Sequence, residues 1–116
     1  MRHTESNIQI ACVKWFRLAH RRYAKLLNAV PNGGARNVIT GSILKAEGVV
    51  PGVADLELNI ARGHWHGLKI ELKTPKGRQS ATQKAWQSDI EAQGYKYIIV
   101  RSLDEFIFEI DKYLKS

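Results

Sequence analysis

An α/β domain with a short mixed sheet, its elements in the order ααββαβα, is the fold class that the sequence predicts. Three observations carry it. Apolar residues recur at three- and four-residue spacing near both ends of the chain. Residues 54–60 and 65–73 alternate apolar with polar side chains. The run Ile98-Ile99-Val100 reads as a buried strand set between two helical segments.

Over residues 4 to about 28, the positions Ile8, Cys12, Trp15, Phe16, Ala19, Tyr23, Leu26 and Leu27 form one apolar stripe, with Lys14, Arg17, Arg21, Arg22 and Lys25 opposite. Pro31-Asn32-Gly33-Gly34 ends this helix. A second is predicted from about 35 to 47, stopped by Gly48. In the alternating pair, Leu56, Leu58 and Ile60 oppose Asp55, Glu57 and Asn59, while Leu68, Ile70 and Leu72 oppose Lys69, Glu71 and Lys73. The turn Arg62-Gly63-His64 makes an antiparallel hairpin of them. Ser80-Ala81-Thr82-Gln83 has the form of a capping box opening a third helix that ends before Gly94. The strand at 95–101 follows a helix and therefore returns parallel to the second hairpin strand. Ser102-Leu103-Asp104-Glu105 is a second capping box, and the last helix offers Leu103, Phe106, Ile107, Ile110 and Leu114 to the core.

The 116 residues and 44% hydrophobic content suit one core, hence one domain over 1–116. No stretch approaches the ~18 apolar residues of a membrane span, and the first residues lack a signal-peptide core, which predicts a cytoplasmic protein with no membrane partner. The single cysteine, Cys12, excludes an internal disulfide and a multi-thiolate zinc module, and its place on the apolar stripe assigns it to the core. The net charge of +7 points to an anionic partner. Residues 1–50 hold eight Lys/Arg against two Asp/Glu, and 51–116 hold ten against nine, so the first half is the phosphate-facing half and the acids gather in the second.

With a three-residue turn, Ala61 pairs with Trp65 and Asp55 falls opposite Glu71 on one face. Two carboxylates so placed repel unless a cation lies between them, and an oxygen-only pair of this kind suits Mg²⁺ or Mn²⁺. Lys73 projects on the same side, placed to orient or deprotonate a water or to offset charge on a phosphate. The plain alternative is a solvated charge ladder on an exposed sheet face. His64 and His66 share a strand face, but no third ligand stands near them in sequence, which argues against zinc.

The words around these residues favour the site. Gly52-Val53-Ala54-Asp55-Leu56, then Ile70-Glu71-Leu72-Lys73, then Gln83 and Trp86 on the next helix resemble the PD-(D/E)xK nuclease signature. With Asn32-Gly33-Gly34-Ala35-Arg36, Leu44-Lys45-Ala46-Glu47-Gly48-Val49, Gly67-Leu68, Gly77-Arg78-Gln79-Ser80 and Gly94-Tyr95, the segment from about 32 to 102 is similar to the VRR-NUC (virus-type replication-repair nuclease) family. Ala54 departs from the proline usual there.

The resemblance implies a restriction-endonuclease-like core and Mg²⁺- or Mn²⁺-dependent hydrolysis of phosphodiesters. Asp55, Glu71, Lys73 and Gln83 would be catalytic. Asp55, Glu71, the Leu72 carbonyl and Glu5, on the first helix, would be metal ligands, although Glu5 also fits as a first-turn acid, and Gln83 as the capping partner of Ser80. Arg36, Lys45, Lys76, Arg78 and Lys84 are candidates for holding phosphates. Small stand-alone members resemble Holliday-junction resolvases, which implies branched DNA, a homodimer with two sites about a two-fold axis, and a phage or prophage origin. Two other readings stay open: a non-catalytic nucleic-acid-binding module, and a nuclease of the same superfamily acting on duplex DNA, flaps or RNA.

Overall fold

The computed structural model describes the backbone of residues 4–31 and 38–116 and the side chains of 4–31 and 41–116. Helix α1 spans Thr4–Ala19. A 3-10 segment at Arg21–Leu26 leads into strand β1, Leu27–Ala29. Then come α2 (Val38–Ala46), β2 (Leu56–Leu58), β3 (Leu68–Leu72), α3 (Ala81–Ala92), β4 (Lys96–Val100) and α4 (Leu103–Leu114). The sheet order is β1-β2-β3-β4, antiparallel up to β3, with β4 returning parallel to β3 as a helical crossover requires.

One sheet face is the core. Leu56, Leu58, Leu68, Ile70, Leu72, Ile98 and Val100 pack there against Cys12 and Phe16 of α1 and Phe106, Ile110 and Tyr113 of α4. Each such side chain contributes ~1.5–3 kcal/mol by leaving water. Burial pushes the Cys12 thiol up to about 12, so it stays neutral and serves as a small core hydrophobe, as expected. Helix α3 lies over β4, where the Trp86 ring meets Tyr97 at 6.1 Å between centroids. Its start is the expected capping box: Ser80 Oγ accepts from the Gln83 N–H at 3.2 Å, and Gln83 Oε1 accepts from the Ser80 N–H at 2.8 Å.

Two expectations need correction. The first helix ends at Ala19 and does not continue to 28. His20 leaves the helical region at φ −127, ψ 61, and Leu27–Ala29 becomes a strand paired with β2. The apolar spacing misled because 23 and 26, three apart, also share a face of a 3-10 turn, whose repeat is three residues. Leu27 then enters the sheet, 4% exposed. Pairing with β2 outweighs the weak helical preference of a short segment.

The hairpin turn is also one residue shorter than expected. Arg62 and Trp65 exchange hydrogen bonds of 3.2 and 2.8 Å around Gly63-His64, with Gly63 at φ +56, a conformation that glycine adopts without cost. Residues 59–61 then lie opposite only His66 and Gly67, and this extra residue, a bulge, restores the expected register: Leu56 with Ile70, Leu58 with Leu68. The expected start of the second helix at about 35 and the motif Asn32-Gly33-Gly34-Ala35-Arg36, Arg36 included, lie outside the described residues.

Candidate active site

Asp55 stands at the entry to β2 and is fixed from both sides. Its carbonyl accepts from the Val30 N–H at 2.8 Å, just beyond β1. Its Oδ2 accepts from the Leu72 N–H at 2.7 Å, which ties the carboxylate to the last residue of β3. The preceding turn is held by Gly52 at φ +90, where a Cβ would stand 2.6 Å from the Thr82 carbonyl oxygen. The first turn of α3 thus presses on the segment that delivers Asp55.

Glu71, next to Leu72 and on the polar side of β3, is only 1% exposed, which sets aside the alternative of a solvated charge ladder at this position. Its Oε1 accepts from the Tyr97 O–H and from Gln79 Nε2, the latter at 3.1 Å. Its Oε2 is buried with no hydrogen-bond partner among the described residues, and Lys73 Nζ lies 3.4 Å away. Lys73 itself is 9% exposed. Burial first, then the Glu71 carboxylate that takes its hydrogen bond, push the Tyr97 phenol up. Asp55 adds to the rise while Gln79 opposes it, so Tyr97 remains a protonated donor.

The loop after Lys73 is clamped by Arg101, whose Nη1 donates to the carbonyls of Thr74 (2.8 Å) and Gly77 (2.7 Å). Thr4, at the start of α1, lines one cleft with Thr74, Pro75 and Lys76, so the helix carrying Glu5 begins beside this loop. Among the described residues, no three His, Cys, Asp or Glu side chains form a metal-holding group, so Glu5 is not gathered with Asp55 and Glu71.

Asp55, Glu71, the Leu72 backbone and Lys73 thus come together as the hairpin register predicts. Gln83 is committed to the Ser80 N–H, and the glutamine that reaches Glu71 is Gln79. Lys76 and Arg78 are exposed on the loop between Lys73 and Gln79, and Lys84 is exposed in the first half of α3. Lys45 is exposed in the last turn of α2. The other hairpin ion pair, Lys69 with Glu57 at 3.3 Å, is partly solvated.

Sequence reasoning missed Tyr97, Gln79 and Gln87 as parts of this site. Lys69 pairs with Tyr97 and Glu71 with Ile99, so Tyr97 shares the acid face, a placement visible only once the parallel register is known.

The divalent-cation expectation can be tested against this donor set. A buried carboxylate oxygen with no hydrogen bond among the described residues, and a second carboxylate tied to the next residue of β3, are hard oxygen donors suited to Mg²⁺ or Mn²⁺.

Among the described residues, no helix is long and apolar enough to cross a membrane. None of the curated proteins compared matches the chain. A family model, the VRR-NUC domain, matches residues 1–104, which extends the likeness across α1. A solved structure described as a VRR_NUC domain protein superposes with a TM-score of 0.84 at 26% identity, covering 97% of this chain and 88% of that one. The match over most of the sequence and the shared fold lead to one conclusion: the chain belongs to the VRR-NUC family and has a nuclease-type fold.

Proposed function

We propose that this chain is a metal-dependent DNA endonuclease that cuts branched DNA in the manner of a Holliday-junction resolvase, acting as a homodimer. The observation that carries the reading is Glu71: a carboxylate taken almost entirely out of water, with Oε2 lacking a hydrogen bond among the described residues and Lys73 beside it. A buried acid in a fold built only for stability is a cost, because desolvation penalises the charge. At a phosphodiesterase centre the same arrangement is useful.

Asp55, Glu71 and the Leu72 carbonyl would hold the cation, without Glu5, which is not gathered with them. A divalent cation bound there supplies Lewis acidity, acidifying water and offsetting charge on the phosphoryl oxygens. The Leu72 N–H keeps the Asp55 carboxylate oriented towards the end of β3. Lys73, held near Glu71 Oε2, directs an ammonium at the reacting phosphate or water. Lys76, Arg78 and Lys84 flank this centre, and with Arg36 and Lys45 they supply sequence-independent contacts to phosphates, in keeping with the net charge of +7. Cutting both strands of a four-way junction symmetrically needs two such sites related by a two-fold axis.

The test incubates the protein and its Glu71→Gln variant with labelled four-way junctions, flaps and linear duplex, in Mg²⁺, in Mn²⁺ and in chelator. Expected is metal-dependent cutting of the junction that the variant loses, from a species of twice the 13.1 kDa chain mass in sedimentation. Tight binding with no cutting in any metal overturns the reading in favour of a binding module. Preference for duplex, flaps or RNA keeps the chemistry and replaces the substrate.

A further inference from the structure

The two oxygens of Glu71 have unequal surroundings. Oε1 accepts two hydrogen bonds, from Tyr97 on β4 and from Gln79 on the loop before α3. Gln79 Nε2 also donates to Gln87 Oε1 at 2.7 Å, and Gln87 Nε2 donates to Glu91 Oε2 at 3.2 Å, both on α3. This chain ends on a carboxylate at each side, which fixes the orientation of both carboxamides: turning either one over would set an amide oxygen against a carboxylate. Oε2, by contrast, has Lys73 Nζ at 3.4 Å and no hydrogen bond among the described residues.

We propose that Tyr97 and Gln79 are positioning residues that occupy Oε1 of Glu71, so that the carboxylate offers the single oxygen Oε2 to a divalent cation. The inference rests on Glu71 being a metal ligand. With two donors already on Oε1, a cation embraced by both oxygens would have to displace hydrogen bonds in a dry site, where an unmade bond costs most. Three elements converge on one side-chain rotamer: β4 through Tyr97, the loop through Gln79, and α3 through Gln87. Neither Tyr97 nor Gln79 has to touch substrate. Their effect is on the affinity and orientation with which Glu71 meets the metal, the usual consequence of hydrogen bonds behind a ligand.

The decisive readout is Mn²⁺ binding, which needs no substrate. Mn²⁺ alone is titrated into wild type, Tyr97→Phe, Gln79→Met and Glu71→Gln, with the free ion counted by electron paramagnetic resonance and each protein's melting temperature recorded. Both substitutions keep approximate shape and remove the hydrogen bond to Oε1. Expected is on the order of tenfold weaker Mn²⁺ binding in Tyr97→Phe and in Gln79→Met, with both variants folded at the temperature of the titration and a matching rise in the Mn²⁺ needed for half-maximal cleavage. Wild-type affinity in both, alongside a Glu71→Gln variant that has lost Mn²⁺, overturns the positioning role and leaves the metal site standing. Undiminished Mn²⁺ binding by Glu71→Gln overturns the site itself. Gln79 is only part-buried, so its variant keeps the test decisive even where Tyr97→Phe fails to fold.

Discussion

The hairpin carries two Glu–Lys pairs on one face, at nearly the same separation and in opposite circumstances. Glu57 and Lys69 lie 3.3 Å apart across the strands with side chains 32% and 14% exposed, while Glu71 and Lys73 lie 3.4 Å apart along β3 at 1% and 11%. The first pair sits beside Asn28 and Asn59, and Asn59 Nδ2 reaches both Asn28 and Glu57. The second sits among Tyr97, Gln79 and the Asp55 carboxylate. Identical chemistry at nearly identical distance thus makes a partly solvated pair in one place and a buried one, at the candidate site, in the other. What differs is the cover: loop 74–79 and helix α3 lie over the end of the sheet that holds Glu71.

The widest gap between the pairs is expected in turnover. On the proposed reading Glu71→Gln removes the charge of a metal ligand and should lower cleavage by at least ~10³-fold, since a catalytic metal contributes several kcal/mol and each 1.36 kcal/mol is tenfold. Glu57→Gln should stay within about twofold. Comparable losses in both variants would mean that the Glu57–Lys69 pair belongs to the catalytic centre as well, and the two pairs would not differ in function.

The next gap is in stability. Removing one partner of a buried pair leaves an uncompensated charge and costs ~3 kcal/mol or more, so Lys73→Met should lower the urea midpoint strongly. Lys69→Met should change stability by less than ~1 kcal/mol. The double variant Glu71→Gln/Lys73→Met sharpens the point. With neither charge buried alone, it should recover most of the stability lost by Lys73→Met, a coupling that an exposed pair would not show. Additive effects in the double variant would place water at Glu71 Oε2.

How much of this could be read from the sequence follows from which physical signal each feature leaves. Alternation from Asp55 to Lys73 gave the face and the register, because a slip of one residue would put Leu56 or Ile70 in water. The register survived an error in the turn because one residue within 59–61 bulges out to compensate. Alternation says nothing about depth, so the burial of Glu71 was invisible: cover comes from α3 and its preceding loop, which sequence spacing does not place over the sheet. Strand β1 was missed because three residues are too few to show a period, yet it carries the Asp55 backbone through the Val30 N–H. Tyr97 was hidden at the edge of an apolar run, where it reads as one more core residue.

Gln79 and Gln83 make the smallest and most pointed contrast, because the motif singles out Gln83 alone and the structure separates the two by their hydrogen bonds. Gln83 Oε1 takes the Ser80 N–H, a donor at the helix start that would otherwise lack an intrahelical partner. Its loss should therefore be felt as fraying of α3. Gln83→Ala is expected to cost about 1 kcal/mol, in line with helix caps generally, and to leave Mn²⁺ affinity and turnover of the folded protein near wild type. Gln79→Met should do the reverse, with little change in melting and weaker metal binding. Since α3 also carries Gln87, which holds Gln79, the two effects separate only if the first turn of the helix can loosen without moving its middle. A Gln83→Ala variant with unchanged melting and more than tenfold slower cleavage would mean that its carboxamide leaves the cap to meet the phosphate, restoring it as a catalytic residue and demoting the capping box to a resting state.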